Sequence, residues 1–244
     1  MNSSPLSSLP QDQLSVLLTA AKSELKLRQN RNRLKSYKPY TKQAEFHAAG
    51  LTHDERLFMA GNQLGKTVAG GFEWAIHLTG RYPKWWNGRV FDGPVKFWAA
   101  GVTGLSTRDN PQRILIGPPM LQEAWGTGAI PFDCIKETVN GRGVPAGLDS
   151  AIIRHGGGGD VQAQESIVSF KAYEQGREKW QGETIDGVWC DEEPPLDIYS
   201  EGKTRVQANN GIMIVTFTPL KGMSDVVNLF LTDSDIEALQ KMAA

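Results

Sequence analysis

Eight residues, Ala60 to Thr67 (AGNQLGKT), constrain this chain more than any other stretch, because they close on Gly-Lys-Thr where a strand hands over to a helix. Before them, Leu57-Phe58-Met59-Ala60 is a short apolar run of the kind that forms a buried parallel strand. After them, Val68, Phe72, Ala75 and Ile76 recur at helical spacing between Lys66 and Leu78. The loop thus lies over a helix N-terminus, where unpaired N–H groups and the helix dipole favour an anion. Its residues suit a polyphosphate. Gly61, Asn62, Gln63, Leu64 and Gly65 let backbone amides curl around phosphates, Lys66 brings an ammonium to the β- and γ-phosphates, and Thr67 offers a hydroxyl to Mg²⁺. The usual pattern opens with Gly, and here that position is Ala60. An ordinary glycine-rich turn with an exposed lysine is the competing reading.

A second motif strengthens the first. Residues 185–190 (IDGVWC) form a hydrophobic strand that delivers Asp191, Glu192 and Glu193 at its C-terminal end. In a parallel sheet ligands bind beyond the carboxyl ends of strands, so Asp191 is expected to face the same crevice as Lys66 and Thr67. There Asp191 would hold Mg²⁺ through water and Glu192 would polarise the water that attacks the γ-phosphate. Glu193 is the spare acid, expected in a salt bridge or at the surface. Thr216-Phe217-Thr218-Pro219 ends the next strand. Its hydroxyls are placed to sense the γ-phosphate, or they mark a plain strand-to-turn junction.

The rest of the chain alternates strands and helices. Strands are expected at 95–101, 151–154, 166–171 and 212–217, and helices at 111–123, interrupted by Pro118-Pro119, and at 196–208. The strands at 151–154 and 166–171 flank His155 and a run of four glycines, which reads as a hairpin tip. The expected fold is α/β, a mostly parallel sheet covered by helices on both faces, and 244 residues suffice for one such domain with an appendage. The organisation expected is an N-terminal tail and basic helix over 1–36, a nucleotide-binding domain over 37–225 and a short tail over 226–244. Leu14, Val16, Leu17, Leu18, Leu25 and Leu27 predict the N-terminal helix. From Lys22 to Lys42 eight Lys and Arg face the single acid Glu24, either as a solvated helix face or as a contact for DNA phosphates or an acidic partner. The formal net charge of −1 excludes a wholly basic nucleic-acid coat. Cys134 and Cys190 read as reduced thiols, and the absence of a signal segment or of 18 consecutive apolar residues reads as a soluble, non-exported chain without membrane contact. Trp85-Trp86 are core anchors in the favoured reading and a stacking surface in the other.

Taken together the motifs resemble the ATPase domain of the large terminase subunits of tailed bacteriophages. The resemblance covers roughly residues 37 to 225. It rests on PYTKQAEFHAA at 39–49, LFMAGNQLGKT at 57–67, SFKAYEQGREKWQGETIDGVWCDEEPP at 169–195 and TFTPLKG at 216–222, of which the third is the most specific. It implies a P-loop NTPase of the RecA/ASCE-like type, with ATP as substrate and Mg²⁺ as cofactor. It also implies double-stranded DNA, the portal of a procapsid and a small terminase subunit as partners, a homo-oligomeric ring, and the host cytoplasm. By position, Gln43 with Tyr40 nearby matches the adenine-recognising glutamine, Lys66 and Thr67 the phosphate-loop pair, Asp191 the metal-associated acid and Glu192 the catalytic glutamate. Thr216 and Thr218 match the motif that couples hydrolysis to movement.

Two departures qualify the match. Some family members place an arginine just inside the phosphate loop, whereas this chain has Asn62 and Gln63. Arg177 is then the leading candidate for stabilising transition-state charge, reaching a neighbouring subunit of a ring, and Arg154 is the second. Large terminases also continue into a nuclease domain, and only 22 residues follow Gly222 here, so no nuclease activity is expected of this chain. Three functions remain in competition: an ATP-driven DNA translocase, a truncated product that binds nucleotide or packaging partners without motor activity, and a P-loop helicase or kinase of another family.

Overall fold

The computed structural model describes residues 10–61, 63–156, 164–219, 224–232 and 234–235. Among them seven strands form one sheet: β1 (Glu55–Met59), β2 (Lys96–Gly101), β3 (Ile135–Asn140), β4 (Leu148–His155), β5 (Gln164–Ala172), β6 (Gly187–Asp191) and β7 (Ile212–Phe217). Their spatial order is β1-β7-β6-β2-β5-β4-β3. The five strands from β1 to β5 in that order pair parallel, and β4 and β3 add an antiparallel edge. The expected mostly parallel sheet is therefore present. The β4–β5 hairpin forms as read from the sequence, while its glycine-rich tip at 157–159 lies outside the described residues. Strand β3 was not legible in advance: as an edge strand it alternates only weakly between half-buried and exposed residues.

Period-two alternation assigns the side chains of the central strands to two faces. Phe97, Ala99, Trp189, Ile212 and Ile214 point to one core, while Trp98, Val188, Cys190, Met213 and Val215 point to the other. Four longer helices accompany the sheet: α1 (Gln11–Asn30), α2 (Thr41–Ala49), α3 (Lys66–Thr79) and α4 (Leu196–Gln207). Helix α3 supplies Phe72, Trp74, Ile76 and Leu78 to the first core, and α4 supplies Ile198, Tyr199 and Val206 to the second. Trp74, Trp98, Trp180 and Trp189 are wholly buried, each removing a large apolar surface from water. Helix α3 lies so close to β6 that a Cβ on Gly70 would stand 2.6 Å from the Trp189 ring. Glycine weakens a helix interior by roughly 0.5–1 kcal/mol, and here it permits that approach.

The helix expected over 111–123 is replaced by an earlier one. Helical turns run from Gly104, capped by Thr103, to Ile116, with π-type bonding over Arg108–Gln112 that accommodates Pro111, which has no N–H to give. They stop at Gly117, φ 124°, before the two prolines. The basic run likewise is not one helix: it spans the end of α1, a short turn at Arg33–Ser36 capped by Asn32, and the start of α2. Leu14, Val16, Leu17, Leu18, Leu25 and Leu27 of α1 are all exposed. Its C-terminal end is anchored, with the Phe132 N–H donating to the Arg31 carbonyl at 3.0 Å and the Arg31 guanidinium 4.5 Å from the Phe132 ring centroid.

A buried ionic cluster ties α2, β1 and α3 together. Glu73 of α3 accepts from Arg56 of β1 and lies 2.7 Å from His47 Nδ1 of α2, with His77 one turn along its own helix. Burial by itself would raise the Glu73 pKa, but the Arg56 guanidinium, the hydrogen bond with His47 and the nearby His77 ring hold it well below the ordinary carboxylate value. Trp86 packs against His47 and His77 and donates its indole N–H to the Arg89 carbonyl, so this tryptophan serves the core. Trp85 is 38% exposed and meets Tyr37 edge-on.

Candidate active site

The parallel register brings the C-terminal ends of β1, β7, β6, β2 and β5 to one rim, and the loop from β1 to α3 curls over it. Gln63 (φ 61°) and Gly65 (φ 76°) take left-handed conformations. Residues in such conformations turn successive N–H groups inward. Asn62 lies outside the described residues. Lys66 is buried, and its ammonium donates to the Gly61 carbonyl at 2.7 Å, so the lysine is held across the mouth of its own loop.

Gln43 sits beneath this loop. Its Nε2 donates to the Gly65 carbonyl at 2.8 Å while its Oε1 accepts from the Tyr40 N–H at 2.9 Å. A Cβ at position 65 would stand 2.7 Å from Nε2, so glycine suits both the backbone angle and the space. The Tyr40 ring is exposed.

Asp191 ends β6 and is nearly enclosed. Its Oδ1 accepts from the Thr67 hydroxyl at 2.8 Å and from the Thr216 hydroxyl at 2.9 Å, and the Trp189 indole N–H donates in turn to Thr216 Oγ1 at 2.8 Å. Burial raises the Asp191 carboxyl to about 6 against the opposing hydrogen bonds from Thr67 and Thr216. Glu192 is exposed, and its backbone stands in the left-handed region at φ 72°. Its N–H donates to the Thr216 carbonyl at 2.8 Å and its carbonyl accepts from the Tyr173 hydroxyl at 2.7 Å. A cleft of about 600 Å³ opens beside it, bordered by Thr103, Tyr173, Glu193, Phe217 and Thr218. Glu193 accepts from Ser224.

The structure thus brings together Gln43, Gly61, Gly65, Lys66, Thr67, Asp191 and Thr216 by direct bonds, with Glu192 joined through Thr216. Gln63 and Leu64 are exposed on the loop. The two arginines have other partners: Arg177 Nε donates to Glu201 of α4 at 2.8 Å, and Arg154 donates to the Asp133 carbonyl at 2.9 Å. Sequence reasoning missed Trp189 as a hydrogen-bond partner of the site, and no local pattern announces it, because its partner Thr216 lies on another strand. Both cysteines are free and buried, and burial pushes Cys134 up to about 11 and Cys190 up to about 12. No described helix is long and apolar enough to cross a membrane.

A glycine-rich loop between β1 and α3, an acid pair ending β6, and one strand, β7, inserted between them define a P-loop NTPase fold of the RecA/ASCE-like type. The chain belongs to the terminase large subunit family: residues 57–244 match the family model described as terminase large subunit, T4likevirus-type, N-terminal. It is 45% identical over 214 residues to the large terminase subunit of Salmonella phage P22, covering 83% of this chain and 43% of that protein. A 71-residue stretch is 41% identical to the large terminase subunit of Enterobacteria phage LP7, covering 29% of this chain and 15% of that one. The chain thus spans less than half the length of the curated relatives it matches. Among solved structures, the large terminase of a thermophilic bacteriophage superposes with a TM-score of 0.48 at 14% identity, over 84% of this chain and 50% of that one. An ADP complex of the same thermophilic phage protein gives 0.46 at 14% identity, over 83% and 50%. The family resemblance read from the sequence is confirmed.

Proposed function

We propose that this chain is the ATP-hydrolysing motor portion of a phage terminase large subunit, powering movement of double-stranded DNA into a procapsid. The observation that carries the reading is the 2.8 Å bond from Thr67 of the phosphate loop to Asp191 at the end of β6, which unites two motifs 124 residues apart. A hydroxyl and a carboxylate are hard oxygen donors of the kind Mg²⁺ takes, so the pair fits that ion. Bound there with ATP, Mg²⁺ would neutralise phosphate charge. Lys66 exchanges the Gly61 carbonyl for phosphate oxygens, and the amides of Gly61 and of Gln63 to Thr67 line the loop. Glu192, exposed beside the cleft, orients the attacking water and takes its proton. Gln43 fixes the base of the loop through Gly65 and faces the adenine with its remaining amide valences. Thr216 bonds both Asp191 and, through its carbonyl, Glu192, and with Thr218 it relays the state of the site to the cleft. Arg177, 57% exposed while paired to Glu201, serves the site of a neighbouring subunit in a ring. Residues 37–225 make up the ATPase domain, which works in the host cytoplasm with the portal and a small terminase subunit.

Replacing Lys66 by Ala tests the reading. Turnover of ATP should vanish while the unfolding midpoint stays near that of the parent chain, and turnover at the parent rate would sink the assignment.

A further inference from the structure

We propose that Tyr173 is the positioning residue for the Glu192 carboxylate: its hydroxyl fixes the Glu192 carbonyl and so holds that residue in its left-handed conformation. The inference rests on the ATPase reading above and deepens it.

A glutamate at φ 72° is out of place by ordinary sterics. Such a residue persists only where its surroundings over-determine it. Two bonds do so here, one on each side of the Glu192 Cα. The N–H is held by the Thr216 carbonyl at 2.8 Å and the carbonyl by the Tyr173 hydroxyl at 2.7 Å, with the Asp191 carbonyl also 3.2 Å from that hydroxyl. The first bond continues the β6–β7 pairing that already joins Asp191 to Thr216. The second is not part of the sheet. It comes from the end of β5, which is separated from β6 by the whole of β2.

Tyr173 is built to reach that far without yielding. It opens the 3-10 turn Tyr173–Gln175, in which the Ala172 N–H donates to Gln175 Oε1 at 3.1 Å. The Glu174 N–H donates to the Val102 carbonyl at 3.1 Å, and Glu174 Oε1 accepts from the Gly104 N–H at 2.7 Å, so the turn is tied to the loop that follows β2. The ring is buried against Trp180. Without the Tyr173 hydroxyl the peptide after Glu192 is free to turn and relax φ, and the carboxylate beside the cleft turns with it. A displacement of about 1 Å in a reacting group can cost about a hundredfold in rate.

The test compares the 244-residue chain with Tyr173→Phe and with 4-aminophenylalanine at position 173, which keeps a donor on the ring. Single-turnover ATP hydrolysis, affinity for a fluorescent ADP and the unfolding midpoint are read for each. Tyr173→Phe should slow hydrolysis by about tenfold or more while ADP affinity stays within about twofold, and the 4-amino residue should restore most of the rate. In a Glu192→Gln background the Phe substitution should cost nothing further, since the group it positions is already disabled. Hydrolysis by Tyr173→Phe at the parent rate overturns the inference, as does equal loss of rate and ADP affinity, or an undiminished effect in the Glu192→Gln background. Should Tyr173→Phe not fold, the 4-amino variant decides: a loss of rate of about tenfold despite its donor, with ADP affinity intact, overturns the inference, and a rate near the parent's supports it. A parent chain that shows no hydrolysis overturns the ATPase reading and this inference together, whereas failure of the Tyr173 variants alone to differ from an active parent leaves that reading standing.

Discussion

Thr216 donates its hydroxyl to the same Asp191 oxygen that accepts from Thr67, so one carboxylate oxygen joins the phosphate loop to the strand that lies between β1 and β6. The Thr216 hydroxyl in turn accepts from the Trp189 indole N–H, which lies under helix α3 beside Gly70. Any ligand that draws Asp191 or Thr67 away must disturb this chain of bonds. The coupling role proposed for Thr216 would run through these contacts, which are discrete and can be removed one at a time.

Thr216→Val should separate the two duties of that hydroxyl. Valine leaves the Trp189 N–H buried without a partner, which costs about 1–3 kcal/mol, and takes one donor from Asp191. Urea unfolding should show the loss, and Thr216→Ser, which keeps the hydroxyl, should recover most of it. Equal midpoints for Val and Thr would remove the bond from any account of stability.

Glu192→Gln should keep nucleotide affinity and lose turnover by about a hundredfold or more, the range expected when a general base is removed. Equilibrium binding of ADP and a phosphate-release assay measure the two sides. Unchanged phosphate release would move the base to another acid, with Glu193 beside the same cleft the first to try.

Asp191 makes stability depend on pH in an unusual direction. Its folded pKa of about 6 lies above the ordinary 3.8, so between those values the folded chain holds a proton that the unfolded chain has released. Its favourable contribution is fully present below about 3.8 and is lost as pH rises through about 6. Asp191→Asn should therefore stabilise the nucleotide-free chain at pH 7 by on the order of 3 kcal/mol, an advantage that shrinks toward pH 4. Thermal unfolding of both chains across that range gives the answer, and a pH-independent difference would contradict it.

Glu73 carries the opposite sign. Its folded pKa lies well below 4.5, so its contribution is fully present above that value and is lost as pH falls below it through the folded pKa. Glu73→Ala should cost about 3–5 kcal/mol at pH 7, because it leaves Arg56 buried without its counter-charge. A urea midpoint close to the parent's would show the cluster to be dispensable.

The sheet was legible because β2, β6 and β7 are apolar runs bounded by turn residues, and α3 because its apolar positions recur at the helical period. Strand β3 and the helical turns from Gly104 to Ile116 escaped for a shared reason. A polar edge strand has no buried face to pattern it, and a helix that takes Pro111 into π-type bonding violates the local rule that would locate it. Glu73 and His77 stood four residues apart on an otherwise apolar helix, a signal that would have pointed to the buried cluster, but Arg56 and His47 come from other elements.

The chemistry on offer is written along the chain: a lysine and a threonine at the start of a helix, an acid pair at the end of a strand, and a hydroxyl ending the next. Those residues are local, set by strand and helix periods and by the glycines that bend the loop between them. Which of these groups meet depends on how the sheet and helices pack. Asp191 takes both hydroxyls on one oxygen, Gln43 supports Gly65 from below, Arg177 pairs with Glu201, and Tyr173 crosses from β5 to hold Glu192. Each of these bonds joins residues far apart in the chain. Such bonds depend on strand order and on the space left by packing, neither of which a local pattern specifies.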